Sequence, residues 1–148
     1  MTAFDEAWQV VKMPFDGTTT GVLEGIRRRG LQPRQADAFT PPSVWYSQDP
    51  EQAVSFANIR SDLTRGKGGG DPVLLQFPEE AVKAPTRRSL GPAGNSWSWT
   101  EHPIPASAIT EHFGPPKPQD EDKWDEWQNA LEEWKRELML RYEQGEFS

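Results

Sequence analysis

Six large apolar side chains near the C-terminus limit how this chain can fold. They recur at intervals of three and four residues, so an α-helix places them in one stripe opposite a charged face. The six are Trp124, Trp127, Leu131, Trp134, Leu138 and Tyr142. Such a stripe needs a cover, because exposed aromatic surface is unfavourable in water. We predict an amphipathic acidic helix over 120–148 that packs on the body, forms a dimer seam or binds a protein partner through 120–145.

The segment before this helix marks a boundary. Residues 114–119 (GPPKPQ) are rich in proline, which stiffens a linker and interrupts regular structure. The charge also changes here, because residues 119–148 carry ten acidic and four basic side chains, a net of −6 out of −7 for the whole chain. We therefore divide the chain into a body at 1–113, a Pro-rich linker at 114–119 and a helix at 120–148.

The composition favours one domain in the cytoplasm. The 148 residues suffice for one domain with a core but not for two full domains. The chain has no cysteine, which excludes a disulfide scaffold, a thiol nucleophile and zinc held by cysteine. No apolar run approaches the roughly 20 residues of a membrane helix, and the first residues lack a signal-peptide profile. We therefore predict a cytoplasmic protein that does not enter a membrane.

The body alternates short strands with a few helices. Candidate strands lie at 8–15, 43–47, 71–78 and 104–113, and candidate helices lie at 20–30 and 49–59. The predicted inward residues are Val22, Leu23 and Ile26 in the first helix and Ala53, Phe56 and Ala57 in the second. Gly30 is expected to end the first helix, and Asp49 and Pro50 are expected to begin the second. This mixture favours an α+β fold over a doubly wound parallel sheet.

The motifs of several enzyme classes are absent. His102 and His112 lie ten residues apart with no cluster of ligands around them, so we expect no metal site. The run GTTTG at 17–21 lacks the Gly-Lys-Ser/Thr of a P-loop, and neither G-x-G-x-x-G nor G-x-S-x-G occurs after a strand. Basic side chains cluster at 27–34, 60–67 and 83–88. Such clusters face solvent or meet phosphates, which leaves nucleic acid open as a partner.

Five short runs occur in a characteristic order. They are FDGTT at 15–19, VLEGIRRRGLQP at 22–33, SVWYSQDPEQAVSFA at 43–57, PVLLQF at 72–77 and SWSWTEHPIPASAI at 96–109. Together they resemble the ADP-ribosyltransferase superfamily, and they look most similar to small rifamycin-modifying ADP-ribosyltransferases and short phage-borne members. The resemblance covers residues 8–113 and implies a split β-sheet with flanking helices. It also implies transfer of ADP-ribose from NAD to a macromolecular or small-molecule acceptor.

The resemblance assigns roles to particular residues. In the family a first-strand Gly-Thr lies against the nicotinamide amide, and here that pair is Gly17 and Thr18, where glycine lets a flat ring reach the backbone. Trp45 aligns with the family aromatic residue, and its π face suits stacking on nicotinamide. Glu101 aligns with the late acid, which bonds the ribose and steadies the cationic centre that forms as nicotinamide leaves. The other residues expected at the NAD site are Thr19, Tyr46, Ser47 and Arg34.

One position departs from the family pattern. Asp16 stands where the family has a histidine that donates a hydrogen bond to a ribose. An ionised carboxylate only accepts, so Asp16 can still bond a ribose hydroxyl but repels a pyrophosphate. Three outcomes stay open: a divergent transferase in which Asp16 joins Glu101 as a catalytic group, an enzyme that acts on another nucleotide or on nucleic acid, and an inactive binding module.

Each of these residues also has a purely structural interpretation. Gly17 and the threonines after it can form a strand-to-helix turn with a capped helix. Trp45 can be an ordinary core residue, and Glu101 can be an exposed loop carboxylate. Trp97 and Trp99 alternate as in a strand, so we expect one to face inward and the other to face a cleft.

Overall fold

The computed structural model describes residues 14–35, 38, 41–63, 70–90 and 95–146. The elements in these ranges are β1 (Phe15–Thr19), α1 (Thr20–Arg29), β2 (Val44–Tyr46), α2 (Pro50–Leu63), β3 (Pro72–Gln76), β4 (Thr86–Leu90), β5 (Asn95–Thr100), β6 (Thr110–Phe113) and α3 (Trp124–Glu143). Short 3-10 turns lie at Glu79–Ala81, Ala106–Ala108 and Glu121–Lys123. The chain is therefore α+β, as the sequence predicts, and it has a C-terminal helix.

The strands form two three-stranded antiparallel sheets. The first has the order β1-β3-β6 and the second has the order β2-β5-β4. The sheets meet where the backbones of Phe15 and Ser47 exchange two hydrogen bonds, of 2.7 and 2.8 Å. Trp45 of β2 lies opposite Trp99 of β5 in the second sheet. This junction brings β1 and β2, which carry most of the predicted site residues, side by side.

The first sheet buries apolar side chains on both faces. In β3, Leu74 and Leu75 point to opposite faces, as the period of a strand requires. On one face Leu75 joins a cluster with Ile26 of α1 and with residues of the second sheet. On the other face Leu74 joins a cluster with Ala53 of α2 and Leu138 of α3. Each face is thus closed by a different part of the chain.

Gly17 lies in the middle of β1 and not in a loop. A Cβ atom at this position would lie 2.2 Å from the backbone oxygen of Ala53 and 2.6 Å from the backbone nitrogen of Ala57. Because both contacts are with backbone, no side-chain rotation relieves them, and only glycine lets α2 lie this close to β1. Of the two interpretations of the threonines, a turn with a Thr cap does not fit, since Thr19 still belongs to β1 and its side chain makes no capping bond to α1.

The end of α1 agrees with the sequence prediction. Leu23 and Ile26 are buried, and Gly30 follows the last helical residue with a φ of 76°. A Cβ atom on Gly30 would lie 2.0 Å from the backbone oxygen of Ile104. The next residue, Leu31, exchanges two backbone hydrogen bonds of 2.9 Å with Ile104. Glycine is therefore required both by the positive φ and by the close approach, and the helix end is fixed to the segment after β5.

The Pro-rich segment 114–119 is bonded to the body. The backbone N–H of Lys117 donates to the Asp71 carboxylate at 2.6 Å, and the Lys117 ammonium donates to the backbone oxygen of Ser61 at 2.7 Å. The indole N–H of Trp127 donates to a backbone oxygen of the segment at 3.1 Å. The segment thus runs along the body and brings α3 back onto it.

The apolar stripe of α3 faces the body of its own chain. Trp127, Leu131 and Leu138 are buried, and α3 packs against α2. An ion pair adds to this contact, because the Lys135 ammonium lies 3.6 Å from the Glu51 carboxylate of α2. The body of the same chain therefore covers these three residues of the apolar stripe.

Some expectations differ from the structure. The strand expected at 8–15 starts only at Phe15, and the residues before Pro14 lie outside the described ranges. The prediction that Phe56 packs inward is wrong, because it is 38% exposed. Small side chains such as Ala57 face β1 instead, since α2 approaches that strand closely. Strand β4 was not expected, because its sequence TRRSL has no apolar alternation.

Candidate functional site

A cavity of about 630 Å³ opens where the two sheets meet. It is lined by β1, α1 and the residues after it, β2, α2 and β5. Cavities of this size hold small molecules and cofactors. Five of the nine residues that the sequence assigns to a site are in its lining, namely Asp16, Gly17, Thr18, Arg34 and Trp45.

Backbone pairing holds three of these residues in place. Asp16 lies opposite Leu75 in the β1–β3 ladder, which fixes the face of the sheet that it occupies. Trp45 lies at the centre of β2. Arg34 exchanges two backbone hydrogen bonds of 2.9 Å with Ser43, so the segment after α1 returns to the start of β2. Residues that are distant in sequence thereby reach one cavity.

One wall of the cavity is aromatic. The lining includes Trp45, Phe56 and Trp97. The Trp45 ring lies against the Trp99 ring, with centroids 4.9 Å apart and planes tilted by 35°. Phe56 and Trp97 meet edge to face at 6.0 Å, and the Arg60 guanidinium lies 5.5 Å from the Phe56 ring centre. Such a wall offers flat surfaces for stacking and a cation beside them.

The charged residues in the lining are mostly basic. Arg29 comes from α1, Arg34 from the segment after it, and Arg60 from α2. Asp16 is the one acidic side chain among the described residues of the lining. The cavity therefore carries an excess of positive charge and favours an anionic ligand.

The Asp16 carboxyl has an unusual titration. Burial raises its pKa to about 7, although the N–H of Gly17 and the charges of Arg60 and Arg34 act in the opposite direction. Burial thus outweighs two arginines, because removing a carboxylate from water is costly. Near neutral pH the carboxyl is partly protonated, so it can donate a hydrogen bond as well as accept one.

The Trp45 indole N–H is buried and has no hydrogen-bond partner among the described residues. Leaving a buried donor without an acceptor costs about 1–3 kcal/mol. Trp45 therefore combines a ring surface in the cavity with an unmet polar group.

Three predicted residues lie in the core instead of the cavity. Thr19 and Tyr46 are buried, and the Tyr46 ring packs edge to face with Phe77 at 5.9 Å. The Ser47 hydroxyl donates to the Gln52 side chain at 2.8 Å, and its backbone joins the two sheets. The structure gives each of these residues a structural role.

Glu101 lies outside the lining. It directly follows β5 and is exposed. In the β2–β5 ladder Thr100 pairs with Val44, so Glu101 continues toward the end of the sheet where Ser43 lines the cavity. Asp16 and Trp45 form part of the cavity wall, whereas Glu101 does not.

The lining includes one aromatic and two basic residues that the sequence did not assign to a site. Phe56 and Arg60 lie four residues apart on α2, which places them on one side of the helix, and Arg29 ends α1. The spacing of four residues between Phe56 and Arg60 was the sequence signal that they share one side of the helix. Phe56 was instead expected in the core. Trp97 lines the cavity, but the expectation that Trp97 and Trp99 face different ways is wrong. Both are half-buried whereas Ser98 and Thr100 are buried, because residues two apart in a strand share one face.

Comparison with known proteins provides no family for this chain. No protein-family model matches it, and no curated protein matches it. Within the described ranges no group of three or more His, Cys, Asp or Glu side chains is placed to hold a metal ion. In the same part of the chain, no helix has both the length and the apolar content to cross a membrane.

Proposed function

We propose that this protein is an ADP-ribosyltransferase-like enzyme that transfers ADP-ribose from NAD to a macromolecular or small-molecule acceptor. The observation that carries the proposal is that Asp16, Gly17, Thr18, Arg34 and Trp45 line one cavity. They come from separate parts of the sequence, and the family resemblance selects them for one ligand. The arrangement of six strands in two three-stranded sheets also supports the split sheet that the resemblance implies.

The chemistry of the cavity supports a dinucleotide as its ligand. NAD carries flat rings and a pyrophosphate. Trp45 and Trp97 offer ring surfaces for stacking, and the excess of arginine over acidic side chains favours phosphate.

The proposed reaction exchanges one bond at the ribose. The bond between nicotinamide nitrogen and ribose C1′ breaks, and nicotinamide leaves with the electron pair. The acceptor donates a lone pair to C1′, and its proton passes to water. A fixed negative charge stabilises the oxocarbenium-like centre between these events, and Glu101 is the residue proposed for this task. Stacking on Trp45 holds the nicotinamide ring in place.

An NAD titration tests this function. Tryptophan fluorescence and free nicotinamide are followed in the same samples, with and without cell extract as a source of acceptors. We expect quenching, because Trp45 and Trp97 line the cavity, together with nicotinamide release. Glu101→Gln should retain quenching and lose release by about 100-fold. Glu132→Gln, an exposed carboxylate of α3, is the matched control and should retain both.

Two results would count against the proposal. Release at the wild-type rate in Glu101→Gln would remove Glu101 from the mechanism. No release from the wild type under either condition would refute a transferase.

A second candidate is a nucleotide-binding protein that does not turn its ligand over. It is favoured by Asp16, which stands where the family has histidine, and by the exposure of Glu101 outside the lining. Quenching by NAD without nicotinamide release supports this candidate. Absence of both signals would refute both functions, since each requires NAD in the cavity.

A further inference from the structure

The cavity places one carboxyl group among arginines. Arg29 reaches it from α1, Arg34 from the segment after α1, and Arg60 from α2, while the described lining residues of β2 and β5 carry no charge. On β1 itself Asp16 is the charged residue. The positive charges of Arg60 and Arg34 act on the Asp16 carboxyl, so the three groups share one electrostatic environment.

An acid at this position conflicts with an anionic ligand. An ionised Asp16 would repel a phosphate that the arginines attract, and the repulsion is strong in a partly buried cavity. A protonated Asp16 removes that repulsion and donates a hydrogen bond to a phosphate or ribose oxygen. The repulsion between Asp16 and the phosphate is therefore absent if Asp16 carries a proton while the ligand is bound.

We propose that the cavity binds the phosphate-bearing part of its ligand beside Arg34 and Arg60, and that Asp16 takes up a proton when this part binds. The proposal rests on the cavity being the ligand site of the proposed function, but it does not require that transfer of ADP-ribose follows. It makes Asp16 a ligand-binding group that couples affinity to pH.

The energetic cost of this proton uptake is small. Burial has already raised the pKa of Asp16 to about 7, so near neutral pH the neutral form is well populated. A bound anion raises the pKa further, because a nearby negative charge disfavours ionisation. If only the protonated form binds well, the apparent affinity follows the protonated fraction, which falls from about 0.9 at pH 6 to about 0.1 at pH 8. Binding should therefore weaken about tenfold across this range.

ADP-ribose is the probe for this proposal, because its diester pyrophosphate keeps the same charge from pH 6 to pH 8. Its affinity for the full chain is measured by calorimetry at both pH values, in two buffers of different ionisation enthalpy. We expect wild type to bind about tenfold more tightly at pH 6 and to take up a fraction of one proton per ligand at neutral pH. Adenosine, which lacks the phosphates, should show no such pH dependence.

Two variants separate proton coupling from a structural role of Asp16. Asp16→Asn mimics the protonated form, so it should bind ADP-ribose equally at pH 6 and pH 8, with the wild-type affinity of pH 6 and no proton uptake. If Asp16 only positions the arginines, this variant should bind more weakly at both pH values. Arg34→Gln should weaken binding about tenfold or more at both pH values. Arg28→Gln changes an exposed arginine outside the lining and should bind normally.

The outcomes distinguish this proposal from the proposed function. ADP-ribose binding that follows pH as expected, together with no nicotinamide release from NAD, would refute the transferase and leave the coupled site intact. Failure of ADP-ribose to bind at either pH overturns the coupled site. The same conclusion follows from a wild-type affinity that does not change with pH, or from pH dependence that persists in Asp16→Asn.

Discussion

The Asp16→Asn variant should be more stable than the wild type at pH 8 and should lose most of this advantage at pH 5. Burial raises the pKa of the carboxyl from 3.8 to about 7. Between these values the folded protein holds a proton that the unfolded chain has released. Stability of the wild type therefore falls as the pH rises through this window, and is greatest below it. Asparagine has no proton to lose, so the variant lacks this dependence.

The size of the effect follows from the two pKa values. Their difference corresponds to about 4 kcal/mol in total, and about 2.5 kcal/mol of this lies between pH 5 and pH 8. Asp16 is only partly buried, so solvent screening lowers the expected change to about 1–2 kcal/mol. In a chain of this size that change moves the melting temperature by roughly 3–8 °C.

Urea unfolding followed by tryptophan fluorescence measures this difference at both pH values. His112 also contributes to the pH dependence, because burial and the charge of Arg141 lower its pKa, so it destabilises the fold as the pH falls. Its contribution is the same in both proteins and cancels in the comparison. Glu132→Gln, on an exposed face, should show no pH-dependent difference. A stability difference for Asp16→Asn that is equal at pH 5 and pH 8 would refute this reasoning.

Two further pairs of variants test the packing. Gly17→Ala should cost roughly 3 kcal/mol, because the new methyl group meets the α2 backbone. Gly25→Ala, with nothing within 4 Å of its Cβ, should gain about 0.5–1 kcal/mol, and equal denaturation midpoints for the two would contradict the account. Leu138→Ala should cost about 2–5 kcal/mol in thermal unfolding. Leu140→Ala, 52% exposed, should change stability by less than about 0.5 kcal/mol, and similar losses for both leucines would place α3 elsewhere.

The helices that can be predicted from the sequence have local signals. Helix α1 has apolar residues at helical spacing and a glycine that ends it, and both signals act within one or two turns. Helix α3 has a long periodic stripe, and three of its members, Trp127, Leu131 and Leu138, are buried as expected. These features depend on neighbours in sequence, so no knowledge of the tertiary fold is needed to find them.

The sites that could not be predicted depend on distant contacts. Gly17 looks like a turn residue because glycine and threonines favour loops, but its role is set by the backbone of α2. Phe56 looks like a core residue because it is large and apolar, but the closeness of α2 to β1 leaves room only for small side chains on that face. The strand β4 forms by pairing with β5 and has no apolar pattern of its own.

The residues of the candidate site also include some that the sequence could predict and some that it could not. Asp16 and Trp45 could be selected from the order of short motifs, and both line the cavity. Tyr46 and Ser47 were selected by the same motifs, but the alternation of a strand and the junction with β1 place them in the core. Short motifs thus locate the segments of a site better than they distinguish the individual side chains that face it.

Helix α2 separates the terminal helix from the cavity. Phe56 and Arg60 of α2 line the cavity, whereas Ala53 packs in the cluster that contains Leu138 of α3. The terminal helix therefore packs on the side of α2 that faces away from the cavity, although none of its described residues lines the cavity. A chain cut after Phe113 would keep every motif of the resemblance and still lose the packing of the terminal helix against α2.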